Sequence, residues 1–183
     1  MTESRTRNAT ATRKAILEAA RNQFLKDGYD NTGLRAIAAE AGIDAALICR
    51  YFGSKKQLFA DVLESTSEDP MQIFEGDKET CGQRIARALL DPPPDTSHRM
   101  LFLDLVTRSS SSPEASWLAH QHIEKQFVIP FARWLDCQNA TDKAWLIGSI
   151  LMGSIIMNSI HPAGCVACDK LARMLQSIID DQG

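Results

Sequence analysis

Several signatures are missing from this 183-residue sequence, and each absence narrows what it can encode. No stretch of useful length alternates apolar and polar residues, so no β-strand is predicted. No glycine loop is built to cradle a phosphate, and no strand-to-helix nucleophile elbow occurs. No Ser, His and Asp set falls where helical spacing gathers it, so the expectation is a protein that is not an enzyme. No basic and then apolar leader opens the chain, which predicts a cytoplasmic, reducing setting. The longest apolar run, residues 144–160, is broken by Gly148, Ser149, Gly153, Ser154, Asn158 and Ser159, too short and too polar for a membrane span. Five cysteines, an odd number, read as free thiols before disulfides. There is no internal repeat.

The 44% hydrophobic and 23% charged content is that of an ordinary globular protein, long enough for a well-buried core. A net charge of −3 hides an asymmetry. Residues 1–60 hold 10 Lys and Arg against 6 Asp and Glu, a net of +4; residues 61–183 hold 10 against 17, a net of −7. The basic part coincides with residues 32–55, TGLRAIAAEAGIDAALICRYFGSK, whose spacing describes two short helices around a tight turn. Leu34, Ile37, Ala38 and Ala41 repeat at i, i+3, i+4 and i+7. Gly42 breaks the helix, Ile43 plugs the small core, Asp44 suits an N-cap, and Leu47, Ile48 and Tyr51 resume the period. Ala45, Ala46, Cys49 and Arg50 are left with no core to face, which reads as a surface for DNA.

With TRKAILEAARNQF at 12–24, Gly28 and Tyr29, the T-x-L-R-x-IA-x-x-AG run at 32–42, Tyr51 and Phe52, and Ser54 and Lys55, the chain resembles the tetracycline-repressor-like (TetR) regulators over its first third. It departs from that pattern at Gly33, where Ser or Thr is usual, at Asp44, where Ser or Thr is usual, and at Cys49, where Tyr is usual. Asp44 and Cys49 occupy positions that face DNA phosphate in the family, and Asp44 brings a charge that phosphate repels unless the helix N-terminus offsets it. The resemblance implies a DNA-contact set of Thr32, Gly33, Arg35, Asp44, Ala45, Ala46, Cys49, Arg50, Tyr51 and Lys55. On the exposed face of Ala45, Ala46, Cys49 and Arg50, Arg50 is the one side chain able to reach a guanine bidentately, and Lys55 with Thr32 and its amide resemble phosphate clamps.

Around this unit, residues 1–10 show no periodicity and are expected to be disordered in the free protein, with Arg5 and Arg7 available to a minor groove. A first helix carries Ile16, Leu17, Ala20 and Phe24 inward and stops at Gly28. Ser54 caps a fourth helix with the stripe Leu58, Phe59, Val62 and Leu63. Further helices are expected over 80–90, with Ile85, Leu89 and Leu90 inward, and over 97–109. A long one follows Pro113, with Trp117, His120, Ile123, Phe127, Phe131 and Trp134 toward its inner side and a kink at Pro130. Residues 91–95 form a stiff loop. The last two helices are 144–160, apolar nearly all round, and one striped by Leu171, Met174, Leu175, Ile178 and Ile179.

The expected fold is all-α: a three-helix helix-turn-helix domain at 1–54 and a helical regulatory and dimerisation domain at 55–183. The resemblance implies a homodimer joined through the last two helices, with Gly148, Met152, Ile155, Ile156, Leu171, Leu175 and Ile178 as interface. It also implies an unidentified small-molecule ligand in the C-terminal part, with Met100, Phe102, Leu103, Trp117, His120, Gln121, Phe127, Met152 and Ile156 as candidate lining. The partners expected are thus a double-stranded, inverted-repeat operator, a second copy and that ligand, with no membrane and no cofactor. His161, Cys165 and Cys168 offer only three ligands, so no metal site is assigned to them. Two other readings stand beside the regulator: a helical adaptor whose DNA contacts Asp44 and Cys49 have eroded, and a regulator that senses redox state or metal through its cysteines.

Overall fold

The computed structural model describes residues 2–66, 76–90, 97–161 and 167–181, with side chains described throughout except at 2–8, 97–100, 158 and 159. Every regular element among them is helical: α1 (Thr2–Asn31), α2 (Leu34–Ala41), α3 (Ala45–Phe52), α4 (Lys55–Thr66), a 3-10 turn (Lys78–Thr80), α5 (Cys81–Leu90), α6 (Ser97–Ser109), α7 (Pro113–Ile123), a π-helical turn (Glu124–Val128), α8 (Ile129–Leu135), α9 (Ala140–Ile160) and α10 (Cys168–Asp180). The backbone is helical from Thr2 onward, contrary to the expected disordered arm. Residues 2–10 contain neither Gly nor Pro, so nothing in them interrupts a helix propagating from the apolar segment behind. The loop at 91–95, Cys165 and the segment 162–166 lie outside the described residues.

The chain divides into two compact units, one of residues 1–67 with 101–122, the other of 68–100 with 123–183. This is not the expected division after residue 54. The stripe Leu58, Phe59, Val62 and Leu63 of α4 is fully buried in the same core as Ile16, Ala20, Phe24, Ile37 and Ile48, together with Leu105, Ala115 and Leu118 from α6 and α7. Phe24, Tyr29 and Phe59 form an aromatic triad at its centre, with ring centroids 5.0 to 5.9 Å apart. Polar links add to it: the Tyr29 hydroxyl donates to Glu114 Oε2 at 2.8 Å, and Ser112 Oγ donates to Asp30 Oδ1 at 2.8 Å. Gly28, at φ 73°, lets α1 break there, as its sequence position predicts, and a Cβ on it would stand 3.0 Å from the Arg108 carbonyl oxygen.

In the second unit α5 and α10 pack at close range. A Cβ on Gly82 would lie 2.4 Å from the Ala172 carbonyl oxygen, so only glycine fits. The Gly82 amide donates to Gln176 Oε1 at 2.9 Å, and Gln176 Nε2 donates in turn to the Lys78 carbonyl at 3.0 Å. Ile85, Phe131, Ala144, Ile147, Leu171 and Leu175 fill the core. The kink expected at Pro130 takes the form of the π-helical turn just before it, closed by the Ile129 amide on the Glu124 carbonyl. Proline has no amide to donate and its ring crowds the preceding turn, so the wider turn relieves both.

Candidate nucleic-acid interface

The reader is built by the chemistry of one glycine and one aspartate. Gly42 ends α2 in the left-handed region (φ 66°, ψ 34°). There its own amide donates to the Ala39 carbonyl at 3.3 Å, and the Ile43 amide reaches the Ala38 carbonyl at 3.0 Å. This two-bond closure reverses the chain in three residues and turns Ile43 back onto the core. Asp44 then caps α3, its carboxylate accepting the Ala46 amide at 2.7 Å. Ile48 and Phe52 are buried, which turns Ala46, Cys49 and Arg50 to solvent, as the sequence predicts. Arg50 forms no hydrogen bond or ion pair among the described residues, so its five donors are available to a partner. Ala45 and Tyr51 are half-buried and pack on the core. Leu47, expected to join them, is half-buried.

Other contacts fasten α2 and α3 to the rest of the unit. Glu40 accepts from Asn22 Nδ2 at 2.9 Å and from Gln23 Nε2, and these bonds hold its carboxyl below the usual range. Arg13 pairs with Asp61 and lies 4.9 Å from the centre of the Phe52 ring.

The expected phosphate clamp is only partly present. Thr32 is 2% exposed. Its hydroxyl donates to the Gly28 carbonyl at 2.7 Å and is also within 3.1 Å of the Gln23 carbonyl, while its amide donates to the Tyr29 carbonyl at 3.3 Å. In this structure both groups close the end of α1. Lys55 stands at the start of α4 with its ammonium 4.4 Å from the centre of the Tyr29 ring and 3.4 Å from the Asp30 carbonyl oxygen. Partial burial lowers its pKa, opposed by the nearby Asp30 and Glu114 carboxylates. Gly33 is exposed and caps α2 without a side chain, and Arg35 is exposed beside it with no hydrogen bond or ion pair among the described residues.

A family model described as bacterial regulatory proteins, tetR family, matches residues 16–62, and one described as the tetracyclin repressor-like C-terminal domain matches residues 79–179, more than half of the chain. The chain belongs to the TetR family. An HTH-type transcriptional repressor of Mycobacterium tuberculosis is 38% identical over 89 residues, which take in 44% of this chain and 47% of the repressor. The chain therefore spans about half the length of the curated relatives it matches. A TetR-family regulator from Streptomyces coelicolor is similar over 94% of this chain and 96% of its own, with a TM-score of 0.60 and 27% identity. The multidrug-binding protein EbrR, solved with ethidium, shares the fold at a TM-score of 0.68 and 18% identity, over 93% of this chain and 99% of its own.

The remaining residues expected to carry function fall into different settings. Of the ligand set, Leu103 is core, and Trp117 is 51% exposed with the Lys56 ammonium 4.3 Å from the centre of its ring. His120 and Gln121 are exposed rather than inward, because α7 turns Ala115, Leu118 and Ala119 to the core. Phe102 is half-buried in the first unit, and Phe127 and Met152 are half-buried in the second. Ile156 is exposed; the Met100 side chain lies outside the described residues. Of the interface set, Leu171 and Leu175 are buried within the unit and cannot meet a second chain. Gly148 faces inward, its Cβ position 3.3 Å from the Phe127 ring, so it makes room for that ring. Met152, Ile155 and Ile178 are half-buried. Leu146 and Met157, not singled out in the sequence, and Met174 of the last helix's apolar stripe are large, apolar and exposed. Cys49 and Cys137 are exposed, Cys81 is buried with its thiol pKa raised by that burial, and Cys168 is intermediate.

Proposed function

We propose that this TetR-family chain acts in the cytoplasm as a non-enzymatic transcriptional repressor. As a homodimer it binds an inverted-repeat operator, and it releases that operator when a small molecule enters its C-terminal domain. The observation that carries the reading is the α2–Gly42–α3 unit: a rigidly closed helix-turn-helix whose outer face presents an unpartnered Arg50 in the basic third of the chain. A two-fold dimer lays two such helices in successive major grooves, so a palindromic site is expected. Release by ligand is a shift of population toward dimers whose readers no longer match the half-site spacing. That EbrR, which shares the fold, is solved with ethidium supports an apolar or amphipathic ligand, with Phe127 and Met152 as candidate contacts.

Selection of bound sequences from a random DNA pool, near physiological salt and in reductant, tests this reading. Enrichment of an inverted repeat is expected, and Arg50→Ala should lower affinity for the enriched site by about 1 to 3 kcal/mol while nonspecific binding persists. No enriched sequence from folded, dimeric protein would favour the adaptor reading, in which Asp44 and Cys49 have removed the operator contact. Equal enrichment in reductant and in oxidant would exclude a thiol switch at the exposed Cys49.

A further inference from the structure

We infer that Leu47 is a specificity-determining residue of the operator reader, and that with Ala46 and Cys49 it presents an apolar surface to thymine C5-methyl groups beside the base or phosphate reached by Arg50. The inference rests on α3 being the helix that enters the major groove. Helical geometry puts Ala46 and Arg50 one turn apart on the side away from Ile48 and Phe52, flanked by Leu47 and Cys49. Of these four, only Arg50 can form strong hydrogen bonds to base edges. Asp44, the nearest other polar side chain on the approach to α3, has its carboxylate engaged by the Ala46 amide. Leu47 decides the matter because it is the largest apolar side chain of the four and the fold leaves part of it exposed. The thymine methyl is the apolar group that a major groove offers, and cytosine lacks it.

The test replaces thymines of the selected operator one at a time by deoxyuridine, which removes only the methyl group, and measures affinity for wild type and Leu47→Ala. For wild type, at least one position per half-site should lose about fourfold in affinity, the worth of one buried methyl. For Leu47→Ala the same replacement should cost nothing further, while binding to unrelated DNA and its salt dependence stay unchanged, which shows that the reader still folds. If deoxyuridine is tolerated everywhere by wild type, or if Leu47→Ala stays just as sensitive to it, the inference is overturned and the operator reading survives. If selection enriches no sequence, both fall together.

Discussion

Asp44 holds two roles in opposition. Its carboxylate caps α3 through the Ala46 amide at 2.7 Å, yet it sets a negative charge on the face proposed to meet DNA, a polyanion. Serine supplies the same capping oxygen without the charge. Asp44→Ser should therefore leave stability within about 0.5 kcal/mol of wild type, and raise operator affinity severalfold at low salt, with the gain shrinking as salt screens the repulsion. Paired titrations at two ionic strengths, with a urea melt of each protein, check both halves. Tyr29 gives a second prediction at this scale. Burial first, then its hydrogen bond to Glu114, push the phenol pKa well above its ordinary value. A raised pKa means that the folded state keeps its proton while the unfolded chain loses it near pH 10. The stability that Tyr29 contributes is thus fully present below about pH 10 and declines as pH rises beyond it. Tyr29→Phe should cost about 1 kcal/mol near neutrality through the lost hydrogen bond. That deficit should narrow in urea melts taken above about pH 10, whereas a constant difference would mean that the phenol does not titrate as argued.

At the scale of elements, what could be read from sequence followed from the range of the interaction. The period of Ile37, Ala38 and Ile48, the stop at Gly42 and the stripe of α4 are local patterns, and the structure buries or closes each as expected. Nothing local shows that Thr32 folds its hydroxyl onto carbonyls four and nine residues back. That α6 and α7 belong with the reader depends on bonds between residues 82 and 85 apart, Asp30 to Ser112 and Tyr29 to Glu114, which no short window can contain. Gly82 belongs to the same class. It sits in an ordinary helix, and only the approach of α10, with the Ala172 carbonyl 2.4 Å from any Cβ, makes it necessary. Gly82→Ala should therefore force α5 and α10 apart and cost about 1 to 3 kcal/mol, as overpacking does, despite alanine's better helix propensity. A stabilised variant in thermal melts would show that the two helices are free to separate.

For the whole molecule the decisive fact is how little of α9 its own chain covers. The stretch Ala140–Met157 is long and apolar enough to cross a bilayer by length and composition, yet only 17% of it is buried. An apolar surface of this length on a helical DNA-binding protein is a candidate partner surface, and the proposed homodimer puts a second copy there. Leu146, Ser149, Gly153, Ile156 and Ile160 recur at intervals of three, four, three and four. This is the spacing of a helix-packing seam, and exposed Ser149 and Gly153 at its middle allow close approach. Leu146 also lines a shallow groove with Ile178 of α10, so the seam extends onto the last helix. Leu146 is 50% exposed and Ile156 38%, and glutamate at either position disturbs little inside the subunit. Gly148, where the Phe127 ring fills the available space, lacks that advantage. Leu146→Glu with Ile156→Glu should sediment as a folded monomer. Because one particle then reads one half-site, its affinity for a full palindrome should fall by about a hundredfold or more, and its affinity for an isolated half-site should stay that of a wild-type reader. A folded variant that still sediments as a dimer would move the interface off α9 and leave that apolar seam to some other partner.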